Sequence, residues 1–235
     1  MTGRLIGIGV GPGDPELLTL KALRHIREAT VVAYPAPDSC ASFARSIVAE
    51  HLDGKTEIPI VVPMRTERFP ARAVYDRAVE EIAPHLDEGR DVVVLCEGDP
   101  FFYGSFMYLF ERLAPRYECE IVPGVSSMMA AGAALARPLA ARNDVLTVIP
   151  GPSDDETVLS ALRGAQAVAV IKVGRHLPRL RRLIDQAGLT DRAAYLERVT
   201  LGEERVMKLA DVEEGTAPYF SIILIYDGAE GWAHG

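Results

Sequence analysis

The run Asp91-Val92-Val93-Val94-Leu95-Cys96 constrains the fold more than any other segment. It is apolar and β-branched, bounded by charge at Asp91 and Glu97, and reads as a fully buried strand. Similar apolar runs recur at 5–9, 31–34 and 58–62, with stretches of helical spacing at 16–28, 41–51, 72–86 and 105–113. Strands alternating with helices predict a parallel βα architecture for the N-terminal half. In the first helix Leu17, Leu20, Leu23 and Arg24 are spaced for a buried stripe and its edge, with Asp14 as N-cap and Pro15 at the first helical position. Pro35 and Pro37 are expected to end the second strand.

The pattern then changes. A short strand at 121–122 and an Ala- and Met-rich helix at 126–135 precede strands at 145–149, 167–171 and 193–196, with helices near 157–162 and 177–187. The last two apolar runs, 205–209 and 219–226, have no helix between them and are expected to pair antiparallel. The C-terminal half therefore reads as mixed α+β. The expected domains are 1–123 and 124–235, divided at Pro123-Gly124 with no linker.

Composition excludes several classes. No apolar run reaches the ~18 residues of a membrane span, and the N-terminus lacks the basic head and long apolar stretch of a signal peptide, so a cytoplasmic location and no membrane partner are expected. A net charge of −8 argues against a nucleic-acid partner. Cys40, Cys96 and Cys119 lack C-x-x-C spacing, and His25, His51, His85, His176 and His234 are scattered, so no metal is expected. His25, His51 and His85 fall on helices and read as surface residues. The positive charge is almost all arginine, the lysines being Lys21, Lys55, Lys172 and Lys208. Arginine grips carboxylates bidentately, and clusters fall at Arg65, Arg68 and Arg72, at Arg137 and Arg142, and at Arg175, Arg179, Arg181 and Arg182.

The first βα turn, Gly7-Ile8-Gly9-Val10-Gly11-Pro12-Gly13-Asp14-Pro15, invites a dinucleotide reading. Neither register of G-x-G-x-x-G fits: Pro12 or Asp14 takes the third glycine. A pyrophosphate cradle needs free backbone N–H groups, which Pro12 and Pro15 lack, and Asp14 adds negative charge. The turn suits a ligand without phosphate. A nicotinamide-dependent oxidoreductase thus rests on this loop alone.

The buried strand at 91–96 empties into Glu97-Gly98-Asp99-Pro100-Phe101-Phe102-Tyr103-Gly104. Ligands of open parallel sheets bind outside the carboxyl ends of the strands. Gly98 permits close backbone approach, Asp99 offers acceptors for a ribose hydroxyl or an ammonium, and the aromatics suit a flat ligand.

Three segments in order, Gly9-Val10-Gly11-Pro12-Gly13-Asp14-Pro15-Glu16-Leu17-Leu18-Thr19-Leu20-Lys21-Ala22, Gly98-Asp99-Pro100 and Pro123-Gly124-Val125-Ser126-Ser127, resemble the signatures of the tetrapyrrole methylase family. The resemblance covers nearly the whole chain. It implies two α/β domains with S-adenosylmethionine (SAM) bound in the cleft between them, a tetrapyrrole substrate and a homodimer. Residues 98–109, together with Arg142-Asn143-Asp144-Val145-Leu146, Lys172-Val173-Gly174-Arg175-His176-Leu177 and Pro218-Tyr219-Phe220-Ser221, are similar to the branch acting at C-20 of precorrin-2 or its cobalt form. Uroporphyrinogen methylases usually carry glycine where Glu97 stands and Tyr-Met-Gly at Lys172-Val173-Gly174. The resemblance assigns SAM contacts to Pro12, Gly98, Asp99, Phe102, Ser126, Ser127, Val173 and Val199. Position at the strand end makes Tyr103 and Glu97 the candidates for proton transfer or ring orientation. Arg45, Arg65, Arg137, Arg142 and Arg175 are candidate clamps for substrate carboxylates. A non-catalytic SAM or tetrapyrrole carrier would use the same residues and differ only in turnover.

Overall fold

The computed structural model describes residues 1–63, 70–213, 215 and 217–228; Arg65 and Arg68 lie outside this set. The chain divides into two compact units, Met1–Ser126 and Ser127–Gly235. The division read from the sequence, at Pro123-Gly124, falls just ahead of that point.

In the first unit, β1 (Leu5–Gly9), β2 (Val31–Pro37), β3 (Thr56–Val62), β4 (Val92–Cys96) and β5 (Cys119–Val122) form one parallel sheet in the order β3-β2-β4-β1-β5. The helices are α1 (Leu20–Glu28), α2 (Phe43–Ile47), α3 (Pro70–Asp87) and α4 (Phe106–Leu113). Successive strand side chains point to opposite faces. Val92, Val94 and Cys96 accordingly join a core with Ala78, Ile82 and Leu86 of α3 and Leu109 and Leu113 of α4. Val93 and Leu95 join a second core with Ala22 and Ile26 of α1 and Ala44 and Ile47 of α2. Both faces of β4 are covered, which is why its sequence shows no polar alternation.

Local features depart from the sequence-based expectations. Asp14 caps only a short 3-10 turn, Pro15–Leu17, and α1 starts afresh at Leu20 with Thr19 as N-cap, its hydroxyl accepting from the Ala22 amide at 3.1 Å. The break resets the helical phase. Ala22, His25 and Ile26 face the core, and Leu20 is 86% exposed. His25 is thus buried, contrary to the surface reading, with Nε2 3.4 Å from Glu120 Oε1. Strand β2 continues through Pro35 to Pro37, because β4 flanks it only as far as Ala33. Beyond that point one side is free of a ladder, and a missing N–H is tolerated.

In the second unit, α5 (Ser127–Ala134), α6 (Asp155–Leu162) and α7 (Leu177–Gln186) accompany β6 (Leu146–Pro150), β7 (Ala167–Ile171), β8 (Ala193–Glu197), β9 (Arg205–Lys208) and β10 (Ser221–Tyr226). The sheet order is β6-β7-β10-β8-β9, with only β6 and β7 parallel. The final two strands do not pair with each other, contrary to expectation. Each is antiparallel to β8, which lies between them, so they run in the same direction. The fully buried β7 and the Leu177, Leu180, Leu183 and Ile184 stripe of α7 form the centre of this core.

Ion pairs brace the first sheet. Arg45 grips Glu57 through Nε and Nη2 at 2.6 and 2.9 Å, and the Tyr34 hydroxyl donates to the same carboxylate at 2.7 Å. Arg4 bridges Asp91 and Glu120, which also holds Lys21. The hydrogen bond from Arg45 pulls the Glu57 carboxyl below its ordinary range against an opposing burial effect. Lys21 does the same for Glu120. At Asp91, burial pushes upward and is outweighed by hydrogen bonds and charge from Arg4. A lowered folded-state value contributes stability that is present above the unfolded value of ~4 and lost as pH falls through the folded one. The urea midpoint is therefore expected to drop as pH falls from 5 toward 3. Each partly exposed pair contributes about 1 kcal/mol or less. A midpoint constant over that range would remove these pairs from the stability account.

Candidate active site

The carboxyl ends of β1, β4 and β5 meet at three glycines. A Cβ on Gly9 would lie 2.5 Å from the Gly98 carbonyl oxygen and 2.6 Å from Gly124 Cα, and one on Gly124 would lie 2.2 Å from the Gly98 oxygen. The three backbones are in direct contact, which no larger residue allows. Gly98 also has φ +64, in the left-handed region that favours glycine. Gly11 and Gly98 exchange backbone hydrogen bonds, the Gly98 amide donating to the Gly11 carbonyl at 2.9 Å and the Gly11 amide donating back at 3.3 Å. The glycine loop thus spends its Gly11 amide on the neighbouring turn and leads into a 3-10 turn, not the helix proper. This arrangement differs from a phosphate cradle, in which loop amides and a helix start face the ligand.

Asp99 is engaged with backbone. Its Oδ1 accepts from the amides of Phe101 and Phe102 at 2.9 and 3.1 Å, and its Oδ2 from the amide of Gly124 at 3.1 Å. Glu97, two residues before it, is partly buried and makes no hydrogen bond or ion pair among the described residues. Burial pushes its carboxyl pKa up. Tyr103 is 45% exposed at φ 57, an unusual conformation for a bulky residue, and stands edge-on to Phe102 with ring centroids 5.1 Å apart. Pro12 is buried in the first turn and Ser126 is partly exposed beyond β5, its Cα 3.7 Å from a Cβ built on Gly98.

In the second unit Ser127 opens α5. Val173 and Val199 are both buried, in turns following β7 and β8. Those turns hold non-glycine residues in the left-handed region, Lys172 (φ 56), Arg198 (φ 48) and Thr200 (φ 71), a strain that concentrates at functional loops. Ser221 Oγ accepts from the Gly174 amide at 3.4 Å and donates to the Pro218 carbonyl at 2.7 Å, tying the β7 turn to the segment before β10.

The candidate clamps have different surroundings. Arg45 is committed to Glu57. Arg137 is partly buried, 3.5 Å from the Leu224 carbonyl oxygen, and desolvation lowers its pKa. Arg142 is exposed at φ 47. Arg175 is exposed and makes no ion pair among the described residues. Arg65 lies outside the described residues. Sequence reasoning missed the glycine contact, the Asp99 bonds to backbone and the lack of a partner for Glu97 among the described residues. The closely spaced glycine motifs are the only sequence signal of them.

A parallel sheet whose strand ends meet at glycine backbone, followed by a unit with a mixed sheet, defines a two-unit α/β protein with a candidate small-molecule site at those strand ends. The chain belongs to the tetrapyrrole (corrin/porphyrin) methylase family, whose pattern matches residues 4–213. It is 39% identical to a precorrin-2 C(20)-methyltransferase of Sinorhizobium sp, over 98% of this chain and 96% of that one. It is 43% identical to the cobalamin biosynthesis protein CobIJ of Mycobacterium bovis, over 96% of this chain but 46% of that protein. The chain thus spans about half the length of that relative. It is 30% identical to a cobalt-precorrin-2 C(20)-methyltransferase of Salmonella typhimurium, over 96% of this chain and 97% of that one. Among solved structures, the methyltransferase CobJ superposes with a TM-score of 0.73 at 25% identity, covering 97% of this chain and 95% of that one. The uroporphyrin-III C-methyltransferase of Thermus thermophilus, complexed with S-adenosylhomocysteine, has the same fold, with a TM-score of 0.70 at 23% identity and coverage of 97% and 98%. The methyl donor of the family is SAM, as expected from the motifs. The described site fits a donor without phosphate: the glycine turn commits its Gly11 amide to Gly98, and the half-buried Glu97 carboxyl beside it disfavours a pyrophosphate. No helix among the described residues is long and apolar enough to cross a membrane.

Proposed function

We propose that this chain transfers a methyl group from SAM to C-20 of precorrin-2, giving precorrin-3A in cobalamin biosynthesis. The supporting observation is the 39% identity to a precorrin-2 C(20)-methyltransferase over nearly the full length of both chains. Glu97, where uroporphyrinogen methylases usually carry glycine, favours the same branch. The Salmonella relative supports cobalt-precorrin-2 as the alternative substrate. The proposal includes a homodimer working in the cytoplasm.

SAM supplies a methyl already activated by its sulfonium, which leaves positioning and proton removal to the protein. Holding nucleophile and methyl in line contributes ~7–11 kcal/mol. The backbone around Pro12, Gly98 and Phe102 and the start of α5 at Ser126 and Ser127 are assigned to the donor. The Val173 and Val199 turns are assigned to its adenine, through backbone groups since both valines are buried. Glu97 is assigned to accept the proton that C-20 loses as the new carbon–carbon bond forms, and a carboxyl raised by burial is the stronger base. Tyr103 orients the ring. Arg137, Arg142 and Arg175 are assigned to substrate carboxylates, with Arg175 the most available. Charge screening over ~8–10 Å lets local arginines act against the overall negative charge. Tyr103→Phe is expected to slow single-turnover methyl transfer roughly tenfold with SAM affinity unchanged; an unchanged rate would remove Tyr103 from this role. Transfer of one labelled methyl to precorrin-2, located by carbon NMR, tests the assignment as a whole.

A further inference from the structure

We infer that Ser221 is a positioning residue which, with the segment just before it, sets the two turns proposed to hold the adenine of SAM. The inference rests on the SAM reading of those turns. Pro218-Tyr219-Phe220-Ser221 resembles the C-20 branch in sequence, yet the proposed reaction gives it no task. Its placement follows from sheet order. β10 lies between β7 and β8 and runs antiparallel to both, so its first residues stand at their carboxyl ends. Ser221, the first residue of β10, is opposite Glu197, the last of β8.

The segment holds both turns. On the β7 side, Ser221 Oγ accepts from the Gly174 amide at 3.4 Å, and the Ala217 amide donates to the Gly174 carbonyl at 3.2 Å. On the β8 side, the Arg198 amide donates to the Phe220 carbonyl at 2.8 Å. Ser221 Oγ also donates to the Pro218 carbonyl at 2.7 Å, which closes the segment on itself. Ser221 is buried, so water does not readily replace its hydroxyl if that group is removed. Both turns require such support. Lys172 (φ 56) and Gly174 (φ 38) flank the buried Val173, and Arg198 (φ 48) and Thr200 (φ 71) flank the buried Val199. Left-handed non-glycine residues persist where the surroundings over-determine them. The Ser221 hydroxyl therefore links the turn of Val173 to the strand start that anchors the turn of Val199, and fixes the spacing of the two.

The test uses Ser221→Ala in the full chain, with Leu162→Ala as control. Leu162 is buried at the last position of α6, outside both turns, so its truncation lowers stability alone. Calorimetry measures binding of S-adenosylhomocysteine and of S-inosylhomocysteine, in which hypoxanthine replaces adenine. The unmutated protein is expected to prefer the adenine form. Ser221→Ala should weaken S-adenosylhomocysteine about tenfold and the inosine analogue less than about twofold, removing most of that preference. It should also raise KM for SAM with kcat within about twofold, and speed amide exchange at Gly174 and Arg198 in the ligand-free protein. Leu162→Ala should lower the urea midpoint and keep the preference. An unchanged preference in Ser221→Ala overturns the inference, as does an equal loss in Leu162→Ala, which would make the effect a consequence of lower stability. An unmutated protein that binds both forms equally overturns the inference and leaves the SAM reading in place; one that binds neither overturns both.

Discussion

Gly124→Ala is expected to lower the stability of the first unit by about 3 kcal/mol and to abolish SAM binding. The new methyl would sit 2.2 Å from the Gly98 carbonyl oxygen and 2.7 Å from Gly9 Cα, both of them backbone atoms that cannot rotate away. Relief requires β5 to withdraw from β1 and β4 at the edge where the donor is proposed to bind. Gly54→Ala is the control. Gly54 has a positive φ, of +72, which Gly124 does not, and a Cβ there meets nothing within 4 Å, so only backbone strain of about 1 kcal/mol is expected. Urea unfolding of both variants separates close approach from conformational strain. Equal and small losses would show that the strand ends can move apart freely.

Glu97→Gln is expected to act in opposite directions on stability and on turnover. The folded-state pKa of Glu97 is raised by burial. The native state therefore binds the proton more tightly than the unfolded chain, and stability decreases as pH rises from the unfolded value of ~4 through the folded one. Above that window the wild-type protein carries a half-buried carboxylate with no partner among the described residues, and glutamine removes the charge. The variant should melt higher at pH 7, with the difference vanishing below about pH 4. Methyl transfer should fall roughly 10²–10⁴-fold if Glu97 accepts the proton from C-20. A variant that is more stable and equally fast would leave Glu97 as a binding group and place proton removal elsewhere.

The parallel sheet was legible because β4 carries its burial in composition: Val92-Val93-Val94-Leu95 has no polar position, and the structure puts alternate residues in two cores. What escaped depends on contacts distant in sequence. Pro35 reads as a terminator, but its tolerance follows from β4 ending beside Ala33, which no local pattern encodes. Leu20 fits the stripe expected of α1, but the break at Leu18-Thr19 shifts the phase and exposes it. The last two apolar runs suggest a hairpin, and only tertiary pairing reveals β8 between them. At the site, motif spacing points to Gly98 and Asp99. The Asp99 carboxylate also accepts from the Gly124 amide, 25 residues further along the chain, so recognition of the motif could not show that three backbone amides donate to it.

Anaerobic incubation of the pure protein with precorrin-2 and methyl-labelled SAM tests the central claim most directly. One labelled carbon at C-20, with one equivalent of S-adenosylhomocysteine released, is the predicted result. Label at any other carbon, or no transfer to either precorrin-2 or its cobalt form by protein that binds SAM, would contradict it.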